Sequence, residues 1–205
     1  MSAIFNNARG IKQGHKLSLM STSTISGKRV SQRRGPFLYT FSVEMNIMAT
    51  SSEEYKSIRK EIAGMDYGVE PLQTSIPTLT SNGGSWAGSP VVVGGTQKGK
   101  FVEIEGLTPN TTDIILDGDF IQFSNNGKVY QVVGDFDSGS SGEAIIKLNS
   151  PLVISPVDGS TPILGASVSF NLAIDDAEFS MGFTPRTVSD NLVSLGEMNF
   201  TEVII

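Results

Sequence analysis

Chain breakers set the first limit on this fold. The 205 residues include 22 Gly and 9 Pro, about one breaker in every seven residues and spread along the whole length. Such spacing is incompatible with a helical bundle and fits many short strands joined by turns. One stretch reads as the clearest strand. From Phe37 to Met45, the residues Phe37, Tyr39, Phe41, Val43 and Met45 alternate with Leu38, Thr40, Ser42 and Glu44. A period of two places the first set on one face of a strand. Burying five such side chains contributes about 1.5–3 kcal/mol each, so this strand centres a first core.

One helix follows, over about 51–63. Thr50 with Glu53, or Ser51 with Glu54, has capping-box spacing. Acids open the segment, Arg59 and Lys60 come late as the macrodipole favours, and Gly64 supplies a stop. Tyr55, Ile58 and Ile62 share one helical face, which predicts that the helix lies on the sheet. Ahead of these elements, residues 1–16 read as a polar, loosely held arm and Leu17 to Ser21 as a short strand. Ser26-Gly27 marks a turn and Arg34-Gly35-Pro36 a break.

Residues 78–90, with Asn82-Gly83-Gly84-Ser85-Trp86-Ala87-Gly88 at their centre, have linker composition. A domain boundary is expected there. Beyond it the pattern predicts strands at 91–93, 101–104, 120–123, 128–133, 144–148 and 168–172. Asn126-Gly127 reads as a type I′ hairpin turn. Six strands in so short a stretch imply a small barrel or sandwich. Residues 198–203 alternate again, and such a terminal strand needs a sheet edge, for which the first domain is the expected acceptor. The predicted organisation is therefore one domain at 1–84 plus 176–205, interrupted by an inserted domain at 85–175.

Composition removes much chemistry. The chain has no Cys and one His, which excludes disulfides, thiolate metal sites, cysteine nucleophiles and any site with two imidazoles from one chain. No cofactor or metal site is predicted. No secretory signal and no apolar run long enough to span a bilayer occurs, so synthesis in the cytoplasm without membrane insertion is expected. The net charge of −6 is uneven: residues 1–70 hold ten Lys/Arg against six Asp/Glu, and residues 71–205 hold five against fifteen. Unlike-charged regions attract one another between copies in an assembly.

The remaining candidates for chemistry are few. Asp135-Phe136-Asp137-Ser138-Gly139 has calcium-loop flavour, but Gly139 at position 5, Ser140 at 6 and Ile146 at 12 break the pattern; an acidic hairpin tip is the simpler reading. Asp117 and Asp119, or Glu103 and Glu105, could pair for acid–base work such as glycoside hydrolysis. Against this stand ordinary Asp-Gly turn chemistry for the first pair and a strand's solvent face for the second. His15 sits among polar neighbours. Trp86 is a candidate glycan contact by ring stacking, or a pin holding a linker to a domain. The basic hairpin Lys28, Arg29, Arg33 and Arg34 admits phosphate contact, plain solvation, or contact with an acidic neighbouring subunit. It lacks interleaved aromatics for single-strand stacking, so no stable nucleic-acid binding is expected.

Together the pieces resemble a known family. The basic hairpin at 26–35, the Phe37-Leu38-Tyr39-Thr40-Phe41-Ser42-Val43 strand and the helix opening with Ser52-Glu53-Glu54 are followed by Asp117-Gly118-Asp119-Phe120-Ile121-Gln122-Phe123 and Lys128-Val129-Tyr130-Gln131-Val132. In this order they are similar to the distal tail proteins of long-tailed bacteriophages, in the form carrying an inserted oligonucleotide/oligosaccharide-binding (OB) barrel. Residues 116–152 carry the most specific part. The resemblance implies a mainly β chain, with a tail-tube- and hub-like first domain and an OB-like barrel inserted in it. It implies a virion structural protein at the distal end of the tail: a hexameric ring that joins the tail tube protein to the hub, tip or baseplate around a DNA channel. It implies no enzymatic activity and carries over no catalytic residue; Lys28, Arg29, Arg33 and Arg34 become subunit-interface candidates. The alternative from the residues alone is a carbohydrate-binding module that contacts host-surface glycans through Trp86.

Overall fold

A computed structural model describes residues 2–23, 29–66, 70–175, 182–185 and 191–204, with side chains described outside 18–34 and 182–185. The fold is mainly β. In chain order the elements are α1 (Ala3–Asn6), β1 (Ala8–Ser23), β2 (Arg29–Met45), β3 (Ile47–Ala49), α2 (Glu53–Gly64), β4 (Leu72–Thr74), α3 (Pro77–Thr80), β5 (Gly88–Val92), β6 (Phe101–Leu107), β7 (Phe120–Gln122), β8 (Val129–Gln131), β9 (Ala144–Lys147), β10 (Ile163–Leu164), β11 (Phe170–Ile174), β12 (Gly182–Pro185), β13 (Asn191–Ser194) and β14 (Glu197–Glu202). They divide into two compact units: residues 1–14, 39–76 and 169–204, and residues 15–38 with 77–168.

The first unit is built on a five-stranded sheet in the order β1-β2-β14-β11-β4, beside a smaller sheet β12-β13-β3. Four of the five residues that the alternation placed on one face of β2, Tyr39, Phe41, Val43 and Met45, are buried; Phe37 is half-buried and falls in the second unit. The last strand finds its edge on that same strand, with Phe200 opposite Phe41 and Met198 opposite Val43 in antiparallel register. Edge-to-face aromatic contacts knit the core: Phe41 to Phe170 at 5.0 Å, Tyr39 to Phe170 at 5.5 Å and Phe5 to Phe41 at 6.0 Å between ring centroids. Helix α2 buries Tyr55, Ile58 and Ile62, the predicted stripe. Its cap is Ser52, whose hydroxyl accepts from the Tyr55 N–H at 3.2 Å. This cap lies one or two residues beyond the two capping boxes read from the sequence, and no base falls in the last turn.

Four further expectations give way to the structure. Residues 2–16 are an ordered part of the fold. Ser2 caps α1, Ile4 and Phe5 are buried, and Glu61 on α2 accepts from the Ile4 N–H at 2.8 Å and from the Ser2 hydroxyl at 2.7 Å. Arg34-Gly35-Pro36 does not end a strand, because Gly35 at φ 102° carries β2 through in a conformation costly for other residues. Residues 168–172 belong with the first sheet: β11 pairs with β14 and, through Phe170–Thr74 to Leu172–Leu72, with β4. The chain thus leaves the first unit after Ile76 and returns at Ser169. Asn126-Gly127 is not a two-residue type I′ turn. Gln122 pairs with Val129, and the longer loop between them closes through the Asn126 N–H to Phe123 O (3.2 Å) and the Lys128 N–H to Asn126 Oδ1 (3.1 Å).

The second unit holds two three-stranded sheets, β5-β6-β9 and β10-β7-β8. Among the described residues no sheet closes into a barrel, where a closed OB-like barrel was expected. The strands around the would-be seam are two to four residues long. Two single bridges, Ile115–Phe136 and Val132–Leu148, stand where ladders would be needed. A continuous core nevertheless lies between the sheets, made by Trp86, Val92, Val102, Ile104, Ile115, Ile121, Phe123, Tyr130, Val132, Ile146 and Leu148 among others.

Candidate interaction surfaces

The basic hairpin is the first candidate. Ser26-Gly27 and Lys28 lie outside the described residues; Arg29, Arg33 and Arg34 stand on β2. Its companion strand β1 runs for 16 residues and forms one edge of the five-stranded sheet. An edge strand presents a row of main-chain donors and acceptors to a further strand. Its charges are placed by the strands beside it. Glu44 and Glu197 are cross-strand partners, an unfavourable like-charge pair. Arg9 lies 3.4 Å from Glu44 and Lys12 lies 3.9 Å from Glu197. Both ion pairs are solvent-exposed, so each is worth about 0–1 kcal/mol.

Further along the hairpin, within the second unit, His15 stacks on Phe37 with ring centroids 5.1 Å apart. The Phe37 N–H donates to Ser150 Oγ at 3.2 Å. Lys128, fully buried, points its Nζ at the faces of Phe37 (5.9 Å) and Tyr130 (5.7 Å) and donates to Val129 O at 2.7 Å. A buried ammonium satisfied by a carbonyl and two aromatic faces is a structural anchor. The signal for this lysine was its phase, since it opens the predicted 128–133 strand on the same face as Tyr130 and Val132, although after a turn dipeptide it looks like a surface cation. Beside it, Gly35, Pro36, Lys100, Pro151, Leu152 and Val153 line an open groove of about 500 Å³.

Of the carboxylates weighed for chemistry, Asp117 and Asp119 are occupied in holding loops. Asp119 is 2 % exposed. Its Oδ1 accepts from the Gly83 N–H at 2.7 Å and its Oδ2 from Trp86 Nε1 at 2.7 Å and the Leu116 N–H at 3.0 Å, while the Gly84 N–H reaches both oxygens at 3.2 Å. Four N–H donors on one buried carboxylate compensate its desolvation. Gly84 is required there: a Cβ would sit 2.5 Å from Asp119 Oδ2 and 2.7 Å from Ile114 O.

Of the two readings of Trp86, the same knot fits the pin and not the glycan contact. Its ring is 6 % exposed and packed in the core, its N–H is taken by Asp119, and the residue is held at φ 46°. It has no free face on which a sugar could stack. The residues read as a linker are the wall of the second unit.

Asp117 is exposed and accepts from the Gly134 N–H at 2.7 Å; Asp135 accepts from the Asp117 N–H and Asp137 from the Asp113 N–H, both at 2.8 Å. These are loop contacts, and Asp117 does not share the enclosed site of Asp119. Glu103 and Glu105 lie on the solvent face of β6, as the alternation predicted. Among the described residues no group of three or more His, Asp or Glu is placed to hold a metal ion, and no helix is long and apolar enough to cross a membrane.

Compared with known proteins, the chain matches no family model and no curated protein.

A buried carboxylate also closes the first sheet. Glu202 falls in phase with Met198 and Phe200, is fully buried, and its Oε2 accepts from the Tyr39 N–H at 3.1 Å. Its place in the alternation was the available signal: an acid at an inward position of an otherwise apolar strand needs buried donors.

Proposed function

We propose that the chain is a structural subunit of a phage virion, a ring-forming distal tail or baseplate adaptor that joins the tail tube to the tail tip around a DNA channel. In this reading the first unit is the tail-tube- and hub-like domain and the second is its inserted OB-like module. The partners are further copies of the chain in a hexameric ring, the tail tube protein and the hub or tip proteins. The observation that carries the reading is a topology joined to an edge. The first unit's main sheet is assembled from strands before and after an insertion, and β1 stands at its rim, with Arg9 and Lys12 on the part of the strand that belongs to this unit. A sheet of this kind is suited to heterologous contacts that close into a ring.

The enclosed Asp119 and the backbone-bound Asp117, Asp135 and Asp137 support a structural role over hydrolysis. The buried Trp86 favours the same role over glycan binding. Electron microscopy of the purified chain, alone and with the tube protein, tests the reading: closed rings of cyclic symmetry are expected.

A further inference from the structure

The outer face of the β5-β6-β9 sheet carries a patch that is complementary to itself. Val102, Ile104, Ala144 and Ile146 point into the core, so Phe101, Glu103, Ile145 and Lys147 point out. Phe101 and Ile145 are each 57 % exposed. The antiparallel register sets Phe101 opposite Lys147 and Glu103 opposite Ile145. The four side chains therefore form a quadrilateral, with the apolar pair on one diagonal and the opposite charges on the other. Val133, 38 % exposed, extends the apolar surface beside Lys147, to whose carbonyl its N–H donates at 2.8 Å. Among the described residues neither Glu103 nor Lys147 forms an ion pair within the chain.

We infer that this face is an isologous contact for a second copy of the chain. A two-fold axis along the Phe101–Ile145 diagonal stacks Phe101 on its own copy and Ile145 on its own copy. It also brings Glu103 against the partner's Lys147, and Lys147 against the partner's Glu103. Two apolar contacts and two ion pairs arise from one operation, as a two-fold interface requires. The charge pattern selects this pairing, because sliding the copies by one residue pair sets charges against apolar groups. A contact of this size is weak between free copies. Copies held in a larger assembly present it at high effective concentration. The contact is distinct from the heterologous contacts of the proposed ring, since it uses the second unit and pairs a surface with itself.

The absence of Cys allows a direct test. In the full-length protein, Ile145→Cys places a single thiol on the axis, so oxidation yields a disulfide dimer at a rate read from non-reducing gels. The expected rate exceeds that of Val157→Cys, a position of similar exposure at 53 %. Glu103→Lys or Lys147→Glu in the Ile145→Cys background brings like charges together and slows cross-linking by about tenfold. The double swap Glu103→Lys/Lys147→Glu restores the rate. Circular dichroism melts verify that each surface variant is folded. Ile145→Cys linking no faster than Val157→Cys, or a double swap that stays slow, overturns the proposal and assigns the face to another partner or to solvent. The readout does not require a ring, so failure of the ring reading leaves this result intact.

Discussion

At the scale of single residues, the second unit depends on one carboxylate. Asp119 gathers N–H donors from residues 83, 84, 86 and 116 onto two oxygens. Asp119→Ala leaves these donors buried without a partner, and an expected loss of about 3–5 kcal/mol follows. Trp86→Phe keeps most of the ring but removes one donor, for an expected loss of about 1–2 kcal/mol. Urea unfolding followed by circular dichroism measures both. The order of the two losses, Asp119 before Trp86, is the sharper expectation, because it follows from the number of donors left unsatisfied. Such knots were hidden in the sequence. Asp117-Gly118-Asp119 reads as turn chemistry, and nothing local distinguishes the acid that faces water from the acid that is enclosed.

Secondary-structure elements were legible where the physics is periodic and illegible where it is tertiary. The strand from Phe37 and the Tyr55-Ile58-Ile62 stripe were visible because burial imposes a fixed spacing on apolar residues. The pairing of the last strand with the first core followed from the same alternation. The placement of Phe170 and Leu172 did not, because alternation reveals a buried face without saying which sheet buries it. The Gly-rich stretch at 82–88 misled for a related reason: glycine marks close backbone approach as readily as a flexible linker. Two substitutions test the elements. Ser52→Ala removes the α2 cap, with an expected cost of about 1 kcal/mol. Phe200→Ala empties a fully buried position between Phe5 and β2, with an expected cost of about 3–5 kcal/mol. Equilibrium denaturation should rank Phe200→Ala well above Ser52→Ala.

For the whole molecule, the uneven charge acquires a structural setting. Of the bases in the first seventy residues, Arg9, Lys12 and Lys16 stand on β1, Arg29, Arg33 and Arg34 on β2, and Lys56, Arg59 and Lys60 on α2. The acids of the later region include Asp113, Asp117, Asp135 and Asp137, all exposed on the loops of the second unit. Attraction between these regions of neighbouring copies is screened by salt, so association is expected to weaken as ionic strength rises, which light scattering across a salt series checks. The proposed function requires copies of this chain to close into a ring. Electron microscopy of the purified protein at low salt, alone and mixed with the tail tube protein of the proposed assembly, is the direct test: closed six-fold rings are expected, and a chain that remains monomeric under both conditions would contradict the proposal.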